Sequence, residues 1–222
     1  RIEKFSFRNK IEINKAVESI KDQKFNISDI SSKIVSRNPS GPFTTSTLQQ
    51  VASSRLGFGA SRTMQIAQRL YQGIEIDGET IGLITYMRTD GTNLSADAVS
   101  DFRDFIKNQY GKEYLPEKPL NYSGKKAKNA QEAHEAIRPT DITRSPDMVK
   151  KYLSTDQQKL YNLIWGRALS SQMETAKFDR NTITITSEDD STICKSSGSV
   201  LKFDGFLKVF PSPSKDEDET IL

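Results

Sequence analysis

The sequence is poor in the residues that bind soft metals and form disulfides, with one cysteine and one histidine among 222 residues. Because Cys194 has no second cysteine to pair with, an internal disulfide is excluded and a reducing cytosol is indicated. A zinc site needs more cysteine and histidine ligands than these two, so HExxH and CxxC chemistry are excluded. We therefore expect this chain itself to bind no metal.

Long apolar runs are also missing. No run approaches the roughly 18 residues that a membrane span needs, and the first residues lack the apolar core of a signal peptide. We therefore expect a cytoplasmic protein without a membrane partner. The formal net charge is only +3, but residues 41–73 contain three arginines and no acidic residue. Such a local positive potential favours a partner that carries phosphate.

A short segment around Tyr86 combines an apolar strand with polar residues suited to phosphate chemistry. The strand is predicted to run through Ile84 and to carry Tyr86 and Arg88 into a turn. Residues i and i+2 of a strand share a face, so Tyr86 and Arg88 should point together and Met87 away. A guanidinium grips phosphate well and favours the phenolate of a neighbouring phenol. The pair suggests a tyrosine that attacks a nucleic-acid backbone, although an interface tyrosine beside a surface arginine would look the same.

The hydrophobic period of residues 44–73 predicts two helices. The first follows a Thr/Ser cluster, and the second is predicted to be capped by Ser61 and to end at Gly73. Met64, Ala67 (or Ile66) and Tyr71 (or Leu70) should face inward. A hairpin through Asp77-Gly78 to Tyr86 follows, and helix, turn, helix, hairpin is the order of a winged helix. Any other small α+β module would also fit this order.

Two later segments add candidate site residues. Residues 130–139 contain His134 and Arg138, which would share a face if the segment were helical, with Pro139 ending that helix. Such a histidine can bind a ligand or simply pack. A lysine-rich run at residues 123–128 is read as solvated surface, with phosphate contact as the alternative.

Strand patterns at both ends of the chain frame the helical middle. Phe5 and Phe7, then Ile11 and Ile13, suggest a first strand, and residues 25–35 a second. After about residue 173 the pattern returns to strands. We predict an α+β, multidomain fold in which a mainly helical, winged-helix-like domain of residues 41–172 is inserted into a β-rich domain. Residues 1–40 and 173–222 would form that second domain.

Four motifs, spread in order over most of the chain, resemble those of the type IA DNA topoisomerases. They are residues 42–50 (PFTTSTLQQ), 55–58 (RLGF), 84–90 (ITYMRTD) and 131–139 (QEAHEAIRP), and residues 203–206 (FDGF) match a later family segment. One departure is Gly91, which stands where a serine is expected in many relatives. It removes a hydroxyl next to the Tyr86 and Arg88 pair.

The resemblance implies that Tyr86 becomes joined to a 5′ phosphate of one cut DNA strand while Arg88 contacts the scissile phosphate. His134 and Arg138 would bind or position DNA nearby. The β-rich domain would be the arch of a four-domain ring. The family's Toprim domain, which binds Mg²⁺, has no counterpart in this sequence, so the expected chain is a fragment that binds single-stranded DNA weakly and cannot cut it alone.

Two other functions fit parts of the sequence. A non-catalytic winged-helix DNA-binding module would read bases with Arg62, Gln65 and Arg69. A tyrosine recombinase or type IB enzyme would also use tyrosine, arginine and histidine. In those enzymes the tyrosine follows the other catalytic residues, whereas here Tyr86 precedes both His134 and Arg138, and this order argues against them.

Overall fold

The computed structural model describes residues 6–122 and 135–212. These residues fall into two compact units. The described parts of the first unit are residues 6–35 and 178–201, and those of the second are residues 36–122, 135–177 and 202–212. Each unit is therefore built from stretches of chain that are separated in sequence by a part of the other unit.

The chain contains both helices and strands, so the fold is mixed helix and sheet. In chain order the elements are α1 (Lys10–Lys21), β1 (Phe25–Arg37), α2 (Thr45–Leu56), α3 (Ala60–Gln72), β2 (Ile74–Ile76), β3 (Glu79–Ile81), α4 (Ala96–Gln109), α5 (Pro146–Val149), α6 (Thr155–Ser170), β4 (Ala176–Ser187) and β5 (Ile193–Phe203). None of the helices in the described ranges has the length and apolarity needed to cross a membrane.

The first unit contains α1 and most of a three-stranded sheet in the order β1-β4-β5. The predicted strand through Ile11 and Ile13 is wrong, because both residues lie in α1. The reason is a strong helix start: the Asn9 side chain accepts a hydrogen bond from the Glu12 N–H at 3.0 Å. The Glu12 carboxylate in turn accepts one from the Arg8 N–H at 2.9 Å. Phe5 lies outside the described residues.

The second unit begins with the predicted pair of helices and the hairpin. Thr44 caps α2 in a reciprocal capping box with Thr47, and Gly73 ends α3. The expected cap of α3 by Ser61 is wrong, because Gly59 is the N-cap and makes no side-chain cap bond. The buried residues of α3 are Thr63, Ile66, Ala67 and Leu70, whereas Tyr71 is 40% exposed. The inward position of Ala67 is therefore confirmed, together with its alternative Ile66, and Leu70 rather than Tyr71 is the inward residue of the second pair.

Helix α6 runs through the core of the second unit. It starts at the predicted Ser154–Gln157 capping box and buries a nearly continuous set of residues from Leu160 to Ser170. Its two large polar aromatics are satisfied by backbone carbonyls: Tyr161 donates to Arg144 O at 2.7 Å, and Trp165 Nε1 donates to Ile142 O at 3.0 Å. Because these hydrogen bonds fix residues 142–144, the chain that follows the predicted DNA-binding motif is tied to the core.

Candidate active site

The chain enters the candidate site at the C-terminal end of α3. The Leu83 N–H donates to Leu70 O at 2.8 Å. A Cβ added at Gly82 would lie 2.7 Å from Tyr71 O, so only glycine allows this close approach. This contact ends the strand pairing. The predicted strand through Ile84 and the hairpin to Tyr86 are therefore too long, since β3 stops at Ile81 and Ile84 makes only an isolated bridge.

Exposure alternates along the segment even though it is not a regular strand. Tyr86 is 41% exposed and Met87 only 1%. Arg88 is exposed, and Thr89 is buried. The expected two-residue period is present in the structure: Tyr86 and Arg88 reach solvent, while the residues between and after them anchor the chain in the core.

The Tyr86 ring has an aromatic neighbour on α3. The rings of Tyr71 and Tyr86 meet edge to face, with their centroids 5.3 Å apart. Edge-to-face packing of this kind is a preferred geometry for aromatic pairs. Tyr71 therefore restrains the ring of Tyr86 while leaving a large part of it open to a ligand.

Thr45, the first residue of α2, holds the backbone around Arg88. Its hydroxyl lies 2.8 Å from Met87 O and 3.1 Å from Thr89 O, to which it can donate. The same hydroxyl accepts from the Thr89 N–H at 2.8 Å, and the Thr45 N–H donates to Thr89 O at 2.9 Å. These bonds fix the residues on both sides of Arg88.

Thr85 holds the other end of the segment. Its hydroxyl donates to Ala136 O at 2.7 Å and accepts from the Arg138 N–H at 3.0 Å. The Thr85 N–H donates to Arg138 O at 2.9 Å. The Thr85 hydroxyl thus fixes the backbone before Tyr86, and the Thr45 hydroxyl fixes the backbone after it.

The segment after His134 is extended, so the predicted helix through Arg138 is wrong over residues 135–139. Ile137 forms an antiparallel bridge with Phe43, and Pro139 forms one with Ile84. The Ala136 N–H also donates to Asn93 O at 2.9 Å. These long-range bonds replace the local bonds of a helix. His134 itself lies outside the described residues.

Arg138 lies next to Tyr86's segment, but a carboxylate occupies its guanidinium. Nε and Nη2 donate to the two carboxylate oxygens of Glu135 at 2.6 and 3.0 Å. Nη1 donates to Pro139 O at 2.9 Å. The Arg138 side chain is 15% exposed. Arg138 therefore stabilises the 135–139 segment, and a phosphate would have to compete with Glu135 for it.

The Glu135 carboxylate should make the stability of this unit sensitive to acid. Burial raises the pKa of Glu135, but hydrogen bonds from Arg138 and Ser95 and the charge of Arg138 hold it below its ordinary value. A lowered folded-state pKa stabilises the fold above the unfolded value of about 4.3, and this contribution is lost as pH falls through the folded pKa. We expect Glu135→Gln to lower the urea midpoint at pH 7 and to have a smaller effect at pH 3.

The exposed Glu79 provides the control for that prediction, because no described residue forms an ion pair with it. Glu79→Gln should leave the urea midpoint nearly unchanged at both pH values. A Glu135→Gln penalty of equal size at pH 7 and pH 3 would contradict the electrostatic explanation.

Arg88 borders a small open hollow next to the start of α2. The hollow has a volume of about 360 Å³ and is lined by Thr44, Thr45, Ser46, Arg88, Thr89 and Asp90. No hydrogen bond or ion pair joins the Arg88 guanidinium to another residue of the described ranges. Helix N-termini favour anions, so Arg88 and the N-terminus of α2 together provide positive potential for a phosphate-sized group.

Other side chains bear on metal binding and on base reading. Residues 6–122 and 135–212 contain no cluster of three or more His, Cys, Asp or Glu side chains that could hold a metal ion. Among the predicted base-reading side chains of α3, Arg62 forms an ion pair with Asp156 at 2.6 Å. Gln65 and Arg69 are exposed.

Sequence reasoning missed three residues that hold the site together. Thr45 belonged to a cluster read only as a helix cap, and Thr85 carried no local signal at all. Glu135 was part of a presumed helix. Thr45 and Thr85 act on partners 42 and 51 positions away, and Glu135 accepts from the Ser95 N–H 40 positions away, so a local pattern could not show these contacts. The ion pair of Glu135 with Arg138, three positions on, is local.

Comparisons with known proteins agree with this architecture. The chain belongs to the DNA topoisomerase family, because the family model of that description matches residues 1–222. Its relatives include bacterial enzymes named DNA topoisomerase 1. The protein from Rickettsia prowazekii is 50% identical over 219 residues, which are 99% of this chain and 28% of that protein. The protein from Escherichia coli K12 is 44% identical, over 96% of this chain and 23% of its own length.

A solved structure is similar as well. Full-length topoisomerase I from Thermotoga maritima superposes with a TM-score of 0.79 at 36% identity, over 96% of this chain and 33% of that one. The chain thus spans about a quarter to a third of the length of these relatives.

Proposed function

We propose that this chain is the nucleophile-bearing part of a type IA DNA topoisomerase, which relaxes negative supercoils without ATP. The observation that carries the proposal is that Tyr86 and Arg88 are both exposed on a backbone clamped by two threonine hydroxyls, while Met87 between them is buried. Its partners would be single-stranded DNA and negatively supercoiled DNA. The cytoplasm, where bacterial chromosomal DNA lies, would be its location.

In the proposed reaction the phenolic oxygen of Tyr86 attacks a phosphorus of one DNA strand. The new bond joins the phenol to the 5′ phosphate, and the bond from phosphorus to the 3′ oxygen breaks. The phenolic proton passes to a base in the rest of the protein, and the departing 3′ oxygen gains a proton. Arg88 binds the non-bridging oxygens, where negative charge builds up in the transition state. Religation is the reverse reaction after a strand has passed.

Arg138 and His134 would position the DNA next to this centre. Arg138 would do so by exchanging one of its bonds to Glu135 for a phosphate, or by holding the 135–139 segment against Thr85. His134, four residues before Arg138, would reach the same strand. Both assignments come from the family resemblance.

The remainder of the active site would lie in other parts of a longer polypeptide. We assign Mg²⁺ binding to a Toprim domain of that polypeptide, where the ion would supply charge stabilisation at the phosphate. Within it, residues 41–172 would form the winged-helix-like domain, and residues 1–40 and 173–222 part of the β-rich arch. The isolated chain is then expected to bind single-stranded DNA weakly without cutting it.

Covalent trapping tests the proposal. A 3′-labelled single-stranded oligonucleotide and Mg²⁺ are incubated with this chain, with a separate polypeptide that carries the proposed Toprim domain, and with both together. We expect a denaturant-resistant protein–DNA adduct only in the mixture. If an assembled mixture bound DNA but never formed the adduct, the non-catalytic winged-helix module, with Gln65 and Arg69 as its readers, would replace this proposal.

A further inference from the structure

Two arginines outside the candidate site stack on one aromatic ring of the second unit. Arg55, near the end of α2, has its guanidinium carbon 4.1 Å from the centroid of the Phe210 ring. The guanidinium carbon of Arg167, on α6, lies 5.5 Å from the same centroid and 5.1 Å from that of Phe43. Phe43 and Phe210 are themselves packed edge to face, with centroids 6.4 Å apart. Both guanidinium groups therefore lie against the same ring, that of Phe210.

Each arginine uses one N–H to hold a backbone carbonyl. Arg55 Nη2 donates to Pro211 O at 2.8 Å, and Arg167 Nε donates to Gly41 O at 2.7 Å. A guanidinium has five N–H donors, so most donors of both side chains are left over. Both side chains are half-buried. No carboxylate in residues 6–122 or 135–212 pairs with either one.

A nearby anion would offset the cost of burying these two cations. Burial lowers the pKa of Arg55, and burial and the charge of Arg55 lower that of Arg167. Three other arginines of the unit show the usual solution. The guanidiniums of Arg62, Arg138 and Arg144 each meet a carboxylate, at 2.6, 2.6 and 3.2 Å. No carboxylate of the described residues takes the corresponding position at Arg55 and Arg167, where an external anion can bind.

We propose that Arg55 and Arg167 together bind one backbone phosphate of single-stranded DNA, at a site separate from Tyr86 and Arg88. The N–H donors of two guanidinium groups suit the oxygens of a phosphate. A phosphodiester also supplies negative charge next to the two positively charged arginines. The assignment of DNA as the ligand rests on the proposed function. The contact of Arg55 and Arg167 with DNA requires neither cleavage by Tyr86 nor binding in the hollow beside Arg88.

Helix α2 sets the distance between the two phosphate contacts. Thr45, which fixes the backbone at Arg88, is the first residue of α2, and Arg55 is the eleventh. With a rise of 1.5 Å per residue, the two lie about 15 Å apart along the helix axis. A rigid helix therefore holds the Arg55 and Arg167 site at a fixed distance from the candidate cleavage site, so one DNA strand can occupy both.

The salt dependence of DNA binding tests the site. The probe is a fluorescein-labelled 12-nucleotide oligothymidylate, titrated at several salt concentrations with the wild-type chain and with an Arg55→Met/Arg167→Met double variant. Methionine keeps apolar packing on Phe210 while removing both charges. Since each phosphate contact contributes about 0.7 to the slope of log K against log salt for single strands, the double variant should lose about that much slope. Its affinity at low salt should fall on the order of tenfold.

Two further variants separate charge from packing. Arg62→Met is the matched control, because Arg62 also stacks on a ring, that of Phe58 at 4.6 Å, but is already paired with Asp156. It should retain the wild-type slope. An Arg55→Lys/Arg167→Lys double variant should keep most of the slope. A folded Met double variant with the wild-type slope would overturn the proposal and leave the pair as anchors for backbone carbonyls.

Chemical protection of the wild-type chain gives an answer that does not depend on a variant's folding. Phenylglyoxal modifies accessible arginines, and mass spectrometry of the digested protein locates the modified positions. We expect oligothymidylate to protect Arg55 and Arg167. DNA would be rejected as the ligand if Arg55 and Arg167 were modified at equal rates with and without the oligonucleotide. It would also be rejected if inorganic phosphate protected them and the oligonucleotide did not. Because protection reports binding alone, this result is independent of whether Tyr86 forms an adduct.

Discussion

Replacing Tyr86 with phenylalanine is expected to abolish covalent capture of DNA by the assembled protein. The substitution removes only the phenolic oxygen, so the ring can keep its edge-to-face contact with Tyr71. Without that oxygen no bond to phosphorus can form, and adduct yield in the trapping assay should fall below detection. Binding of the oligonucleotide, measured by fluorescence anisotropy, should stay within about fivefold of wild type, since one hydrogen bond contributes only about 1 kcal/mol.

The specificity of this loss requires a control at another tyrosine of the same unit. Tyr110 packs against Tyr114, with ring centroids 6.1 Å apart, and lies at the end of α4. Tyr110→Phe removes a phenol of the same kind and should leave the adduct yield unchanged. If the Tyr86→Phe protein still formed an adduct, the nucleophile would have to be another residue, and the proposed mechanism would be wrong.

The helices of the second unit could be predicted because their ends are encoded locally. Thr44 with Thr47, and Ser154 with Gln157, form capping boxes between residues three positions apart. The hairpin could be predicted for the same reason, since Asp77 and Gly78 both adopt positive φ angles at its turn. Such short-range signals survive in the sequence whatever the rest of the chain does.

The failures have the opposite character. Residues 135–139 have a helical composition, but bridges to Phe43 and Ile84 hold them extended. The strand before Tyr86 is shortened by the contact of Gly82 with Tyr71 O on α3. In both cases a hydrogen bond or a close approach to a segment distant in sequence outweighed local propensity. The sequence pattern alone does not contain that information.

The candidate site lies between these two cases. The exposure of Tyr86 and Arg88 around a buried Met87 could be predicted, because a two-residue period requires only a locally extended chain. What fixes them there could not be predicted, because Thr45 and Thr85 act through backbone atoms at sequence separations of 42 and 51. The chemistry is thus visible in a short motif, while its precise positioning depends on the tertiary fold.

The Thr45 hydroxyl is therefore expected to matter for cleavage far more than for DNA binding. Thr45→Val keeps the shape and the N–H bond to Thr89 O but removes the hydroxyl that contacts Met87 O and the Thr89 N–H. Releasing this backbone should displace Arg88, and a misplacement of about 1 Å can cost on the order of 100-fold in rate. We expect the single-turnover cleavage rate of the assembled protein to fall about 10- to 100-fold.

Thr45→Ser tests whether the hydroxyl is the cause, because serine restores both of its hydrogen bonds without the methyl group. Its cleavage rate should return to within a few-fold of wild type. Because Thr45→Val leaves buried polar groups unpaired, it should also lower the free energy of unfolding by about 1–3 kcal/mol. Assays at a temperature where circular dichroism shows both variants folded separate this effect from catalysis. Equal cleavage rates for the folded valine and serine variants would mean that Arg88 is positioned without Thr45.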